Sequence, residues 1–384
     1  YQLSPGKAMP IALFEKGTLI QDINETNNQI WVGTTKGAYC FDKWLKPAFG
    51  GYCFFEERSI SRITCDREGT FWFASLDKGI FKVPNLETRL FPYQDEAITA
   101  LAIKDATTLL AGTSSQRLLA FSAARGGFLP LYKDGANHEI IHILHEEALH
   151  TTLLCSDKIT RLKQFGAPVV FPKAGKSLVS IAPNQYIMAF SNGIATLNLS
   201  PGKGMPSWTN ALGFLDSLGD FRGRLVAYHP QLNMLLTATT KGLFYISPQG
   251  SGAIMQNSKP VYAACMVALN GYTYISTYQG EVFLLSPQRQ LTSLYRPKQN
   301  QVITKLQVSN NTLWMLTDNG IVAYDTLSKK EQLYSIADGL PKAEYKDLIL
   351  QNDALYVATS AGLVVFRQKL PSFNAVPPLM DIDN

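Results

Sequence analysis

What this chain lacks narrows it quickly. Charged residues make up only 17% of its 384 positions, against about a quarter in an ordinary soluble domain. It has no run of lysine or arginine and no aromatic–basic interleaving, so the net charge of +5 gives nucleic-acid binding little support. No apolar stretch approaches the roughly 18 residues of a spanning helix. No signal peptide is visible, and the chain is read as the soluble piece of something larger, cut at both ends. Cysteine is scarce and odd in number: Cys40, Cys53, Cys65, Cys155 and Cys265 include no CxxC pair. They are read as free thiols buried in strands, with a Cys53–Cys65 bridge as the alternative, and a disulfide scaffold is not indicated. Sustained helical periodicity is missing as well, which disfavours a β/α solenoid.

What is present is a phrase that keeps returning. It reads Ile30-Trp31-Val32-Gly33-Thr34-Thr35-Lys36-Gly37, then Phe71-Trp72-Phe73-Ala74-Ser75-Leu76-Asp77-Lys78-Gly79, then Leu235-Leu236-Thr237-Ala238-Thr239-Thr240-Lys241-Gly242. Later copies end at Gly280, Gly320 and Gly362, at steps of 38, 40 and 42 residues from Gly242. Eroded copies lie at Leu110–Arg117, Leu153–Ile159 and Ile187–Gly193, giving nine in all. A fixed period of about 40 residues means a repeat architecture. One step is overlong, Gly193 to Gly242, and residues 198–226 are an elaborated loop or a seam between units.

Each copy has the chemistry of a hairpin. Apolar and β-branched residues alternate, stop at a small polar cluster, and resume after a glycine that can adopt positive φ. Another alternating run lies upstream, such as Ile60–Cys65 or Val302–Val308, and a fourth lies downstream, such as Arg89–Tyr93 or Gln332–Tyr334. Four short strands per 40 residues is the signature of an all-β propeller built from four-stranded antiparallel blades. Nine repeats allow one ring of seven to nine blades, or seven blades plus two belonging to a neighbouring ring.

Asp66-Arg67-Glu68-Gly69-Thr70-Phe71-Trp72-Phe73 and Tyr334-Ser335-Ile336-Ala337-Asp338-Gly339-Leu340-Pro341 carry a further signal. Together with the Trp-x-Gly-Thr and Gly-aromatic pairs, they resemble the two-component regulator propeller repeat. The likeness covers almost the whole chain, strongest in copies 1, 2, 8 and 9 and weakest in copies 3 to 5. It implies a propeller over residues 1–370 that serves as the extracytoplasmic sensor of a bacterial membrane histidine kinase, often tuned to polysaccharide breakdown products. It implies a periplasmic location on the outer side of the inner membrane of a Gram-negative bacterium. Pro377-Pro378-Leu379-Met380-Asp381-Ile382 is similar to the entry into the Ig-like domain that follows such propellers, so 371–384 reads as a linker towards it. Ig-like and kinase domains of the same parent chain would be the partners, and a homodimer is left open. The family commonly carries fourteen repeats in two seven-bladed rings, whereas nine are visible here.

Sharper chemistry was sought and weighed. His138-Glu139-Ile140-Ile141-His142 matches HExxH, which on a helix would place two histidines on one face for zinc. The repeat phase puts the run at an innermost strand instead, where residues four apart are roughly 13 Å apart, and no metal or other cofactor is expected. Leu3-Ser4-Pro5-Gly6-Lys7-Ala8-Met9-Pro10 recurs at Leu199–Pro206; it lacks a complete phosphate-loop pattern and reads as a loop. No GxSxG or Ser/His/Asp framework exists, and adjacent acids such as Glu56-Glu57 would point to opposite faces of a strand.

Loops on a rigid scaffold carry recognition, so the polar cluster before each repeat glycine is the expected ligand face. Lys78, Arg117, Lys241, Tyr278 and Asp318, with Arg58 from a linker between copies, offer charge, hydrogen bonds and a stacking platform suited to a glycan fragment. The expected function is non-catalytic ligand sensing coupled to a kinase. The alternatives are a carbohydrate-active lyase or hydrolase on a propeller scaffold, and a protein-interaction propeller.

Overall fold

The computed structural model describes residues 2–367, apart from residues 5, 6, 10–13, 15, 27, 52, 68, 84, 85, 87, 136, 137, 200–206, 210–217 and 298–300. The expected linker at 371–384, and nearly all of the second Ser-Pro-Gly-Lys copy, lie outside the described residues. The first copy forms a short antiparallel ladder, Gln2–Ser4 against Lys7–Met9, with Leu3 opposite Ala8. The described structure is all-β, with helix confined to four single 3-10 turns.

The nine sequence copies correspond to nine antiparallel sheets, numbered 1–9 in chain order. Sheets 1 and 2 belong to one compact unit, which contains residues up to Leu86, and sheets 3–9 to another that begins at Glu87. In the first unit each sheet has three strands: Ile20–Thr26, Gln29–Thr34 and Gly37–Asp42, then Ile60–Cys65, Phe71–Ser75 and Gly79–Val83. Their core is aromatic, with Trp31 packed on Phe54, Phe71 and Phe73.

In the second unit the inner strands are Ile98–Asp105, His142–Glu146, Ser177–Ala182, Gly223–His229, Ala263–Leu269, Ile303–Ser309 and Tyr345–Gln351. Each lies beside the next, and the last lies beside the first. Every one of these sheets has at least four strands, and sheet 6 adds a fifth, Lys259–Pro260. In the overlong 198–226 step, Ser207–Thr209 is the fourth strand of sheet 5, pairing Trp208 with Leu197.

The downstream run at Arg89 departs from expectation. It was read as the fourth strand of copy 2. The strand Thr88–Phe91 instead pairs with Gly362–Arg367, joining Leu363 to Phe91 and Val365 to Arg89. Sheet 9 is therefore completed by the segment that precedes sheet 3. The same junction holds side chains: Asp347 Oδ2 accepts from the Leu101 amide at 2.9 Å, and Gln351 Nε2 donates to the Asp105 carbonyl at 2.6 Å. Phe91 and Tyr93 pack with Leu101, Phe121, Tyr356 and Leu363 in one core.

Trp31, Trp72 and Trp314 occupy equivalent positions, each three residues before the Thr or Ser that ends its strand. Trp31 and Trp314 are buried, whereas Trp72 is half-buried and its Nε1 donates to Asp66 at 2.9 Å. The first unit also leaves its flanks open. Ile20 is 51% exposed although its counterparts Ile60, Ile98 and Ile303 are fully buried, and Ile80 is 68% exposed although Ile321 and Leu363 are fully buried.

Gly362 sits at φ +128°, and a Cβ there would run into the Phe91 carbonyl. Gly362→Ala should destabilise the second unit by about 3 kcal/mol or more, combining backbone strain with a displaced strand. Gly126, at φ +68° with open space around it, is the control, and Gly126→Ala should cost only about 1 kcal/mol. Urea unfolding of both variants checks this; equal losses would remove the strand junction as the cause.

Candidate functional site

In several copies the turn before the repeat glycine is built by one threonine. Thr239 Oγ1 accepts from the Lys241 amide at 3.0 Å and donates to the Gly242 carbonyl at 3.1 Å. Thr34 and Thr317 repeat the arrangement. The hydroxyl satisfies the turn from inside, so the residues between Thr and Gly are left to face outward.

At this end of sheets 5 and 6 lies a recess of about 580 Å³, lined by Ser191, Asn192, Gly219, Asp220, Phe221, Arg222 and Thr240. The approach to the sheet 6 inner strand is pinned there, because the Arg222 amide donates to Thr240 Oγ1 and the Thr240 amide donates to the Arg222 carbonyl, both at 3.0 Å. Three cations converge beside it. Lys176 is held below the ordinary lysine range by burial first, then by Arg224 and Arg222. Its Nζ donates to the Gly223 carbonyl at 3.4 Å. Arg224 Nη1 donates to the Tyr278 hydroxyl at 2.6 Å, with its guanidinium 5.2 Å from that ring's centre. Among the described residues, Asp220 is the one acid lining the recess. Repelling cations held together on a rigid frame favour an anionic or strongly hydrogen-bonding ligand.

Two of the six expected residues join this feature. Tyr278 is held by Arg224, and Lys241, exposed, follows the recess residue Thr240. Asp318 is exposed on the turn of sheet 8. Arg117 is committed elsewhere, with Nε 2.9 Å from Glu96 Oε1 and Nη1 donating to Gln94 at 3.2 Å. Arg58 and Lys78 belong to the other unit. There Arg58 pairs with Asp77 at 3.3 Å, and the Lys78 amide donates to Ser75. Asp77 is held low first by Ser75, against an opposing effect of desolvation, with Arg58 adding a lesser pull in the same direction as Ser75. Lys176 and Arg222 lie on the approaches to inner strands and Arg224 on the strand Gly223–His229 itself, so none belongs to the repeated turns that the sequence pattern marks. The Arg222-Gly223-Arg224 triplet closing the overlong step was the available signal.

The HExxH run is extended, not helical. His138 pairs with Asp157 at 3.5 Å, Ile140 is buried, and the strand begins only at His142. His142 Nε2 donates to the Leu178 carbonyl at 3.0 Å, which fixes its tautomer. No group of three metal-ligating side chains forms among the described residues. All five cysteines are free, and burial pushes the Cys40 and Cys155 thiols up to about 12, away from nucleophilic character.

His142 also belongs to a row of inner-strand residues, with Ser177, Cys265, Lys305 and Asp347 at the equivalent register. Lys305 and Asp347 form an ion pair at 3.0 Å. Both act electrostatically on His142, although sheets 8 and 9 are not neighbours of sheet 4, so the row converges on a shared centre. Members also fasten one sheet to the next, since Ser177 Oγ accepts from the Val226 amide at 3.2 Å, as Asp347 does from Leu101.

Burial, then Lys305, hold His142 down at about 4. A folded pKa below the unfolded 6.5 means that this contribution to stability is present above pH 6.5 and is lost as pH falls from there towards 4. The loss should be on the order of 2–3 kcal/mol. Urea unfolding of wild type and His142→Gln across that range checks it: the variant should show the flatter profile, and parallel profiles would assign the acid sensitivity elsewhere.

Comparisons with known proteins add the following. No family model matches the chain. Histidine kinase P4 of Formosa agariphila is 33% identical over 84 residues, which is 21% of this chain and 6% of that protein. The fold is similar to that of an extracellular domain assigned to a hybrid two-component system of B. thetaiotaomicron, with TM-score 0.69, 13% identity, and coverage of 91% of this chain and 51% of that one. It is also similar to virginiamycin B lyase from Staphylococcus aureus, with TM-score 0.58, 12% identity, and coverage of 73% and 98%. The chain thus spans about half the length of the two-component domain, and at these identities the structural likenesses show the propeller fold alone. No helix among the described residues is long and apolar enough to cross a membrane.

Proposed function

We propose that this chain is the ligand-sensing, extracytoplasmic propeller region of a two-component histidine kinase, and that its ligand is a glycan fragment held at the recess beside Lys176, Arg222 and Arg224. The observation that carries the reading is the convergence of those three cations with Tyr278 on the rigid turn end of sheets 5, 6 and 7. The similarity to a histidine kinase and to a two-component extracellular domain supports the sensor role. Sheets 3–9 form one seven-bladed ring in this reading, supported by the cycle of adjacent inner strands. Sheets 1 and 2 are two blades of a neighbouring ring, supported by the open flanks at Ile20 and Ile80. Signal then passes through Ig-like and kinase domains of the parent chain, from the periplasmic side of a Gram-negative inner membrane. The likeness to a lyase, at 12% identity, is a likeness of fold.

A glycan-fragment screen followed by calorimetric titration tests the site. Arg224→Ala should weaken binding by roughly tenfold or more, the scale of a lost charge-assisted hydrogen bond. Arg117→Ala, whose guanidinium is committed to Glu96 and Gln94, should bind like the parent. If Arg224→Ala binds normally and Arg117→Ala does not, the recess is not the site.

A further inference from the structure

A second cleft, of about 650 Å³, opens between sheets 3 and 4. It lies within one compact unit and at the strand ends opposite the repeat turns, since its rim includes Asp105 and His150, which flank the first hairpin turns of those sheets. Its volume falls in the range of small-molecule sites, roughly 300–1,000 Å³.

Two chemistries meet there. One wall is apolar: Leu118, Leu131 and Leu162 line it with Tyr132. Leu131 is 44% exposed. The Tyr132 ring is fixed because its hydroxyl donates to Asp134 at 3.0 Å. The rim is basic, with Lys104, Lys163, His145 and His150. His145 Nδ1 hydrogen-bonds Thr152 Oγ1 at 2.8 Å, which orients the ring and leaves Nε2 available. Of the two rim acids, Asp105 already accepts from both the amide and the hydroxyl of Thr107 at 2.9 Å, leaving Glu147 against Lys104 and Lys163, while burial and then Lys104 hold His145 below the ordinary histidine range. Neither Lys104 nor Lys163 forms an ion pair among the described residues.

We propose that this cleft binds a small amphipathic carboxylate, its apolar body on the leucine wall and its carboxylate at Lys104 and His145. A leucine wall offers sugar hydroxyls no partners, and a neutral apolar guest would cover rim charges without compensating them. A ligand with an anionic head satisfies both surfaces. The site is independent of the recess at sheets 5 and 6, and it does not rest on the sensor reading.

The chain has five histidines, His138, His142, His145, His150 and His229, so their ring resonances can be followed individually by NMR. The probe is 4-phenylbutyrate. Saturable shifts are expected at His145 and His150 with none at His229, which is buried in sheet 6 and hydrogen-bonded to Thr273. Lys104→Ala should weaken the titration by roughly fivefold or more, and Leu131→Asp should abolish it while the other histidine signals stay in place. Arg224→Ala should leave it unchanged. Equal shifts with 4-phenylbutanol would overturn carboxylate recognition, and equal shifts with acetate would overturn the apolar wall. No saturable shift at about 10 mM, a ceiling set by millimolar affinity, would remove the site altogether.

Discussion

The larger unit depends on one strand pairing, Thr88–Phe91 against Gly362–Arg367. A strand edge left unpaired exposes a row of backbone donors and acceptors, and sheet 9 would have such an edge without this partner. The pairing also brings Phe91 and Tyr93 into a core with Tyr356, Leu363 and Val365. Backbone satisfaction and apolar burial are therefore achieved in one step, between segments at the two ends of the unit. Contacts so distant in sequence are formed against the full loop-closure entropy, which makes folding slow and cooperative. Every other sheet is a local meander that can assemble from its own 40 residues.

Closure of this kind leaves few soft places. Within the sheets, register irregularities recur near the start of the inner strands, as at Ile98/Ala100, Ile303/Lys305 and Tyr345/Asp347. Those bulges turn alternate residues towards the shared centre, where Lys305, Asp347 and His142 interact. The row mixes one ion pair, one neutral histidine and one thiol. Such variety is tolerated because each member needs only to satisfy its own neighbours, by an amide from the next sheet or a charge across the centre. A buried charge without that partner would cost several kcal/mol, so Asp347, which serves both Leu101 and Lys305, is the least replaceable of the set.

Legibility in the sequence followed the range of each interaction. The hairpins ending at Gly37, Gly242, Gly280, Gly320 and Gly362 were legible because Thr-x-x-Gly is a local device, its hydrogen bonds staying within a few residues at Thr239, Thr317 and Thr359, and the fixed period carried the reading to the other four. The assignment of Arg89–Tyr93 failed for the complementary reason. Its alternation announces a strand, but its partner lies far away and nothing local distinguishes sheet 2 from sheet 9. The candidate site divides the same way. Tyr278 and Lys241 sit on the repeated turns, where the pattern is legible. Arg117 looked available because Glu96, which holds it, precedes it by two full strands and their turns. Lys176, on a strand approach, and Arg224, at the second position of its strand, carry no periodic mark, and their meeting is a product of sheets 5, 6 and 7 lying side by side.

Both clefts occur where neighbouring sheets meet rather than within a sheet, and this bears on how such a molecule could report a ligand. Sheets are stiff, and their packed interiors do not deform continuously. The freedom that remains is the relation between adjacent sheets, held by side-chain fasteners such as Ser177 to Val226 and His142 to Leu178. A ligand bridging two sheets adds its own contacts to one spacing of that joint and not to others, and only such a difference in affinity can shift an equilibrium. Lys176 and Arg224 lie on the inner strands of sheets 5 and 6 or their approaches, within a few residues of the Ser177–Val226 bond. On the proposed reading an anion drawn between those cations would act on the fastener itself, because Lys176 adjoins Ser177 and Arg224 lies two residues from Val226.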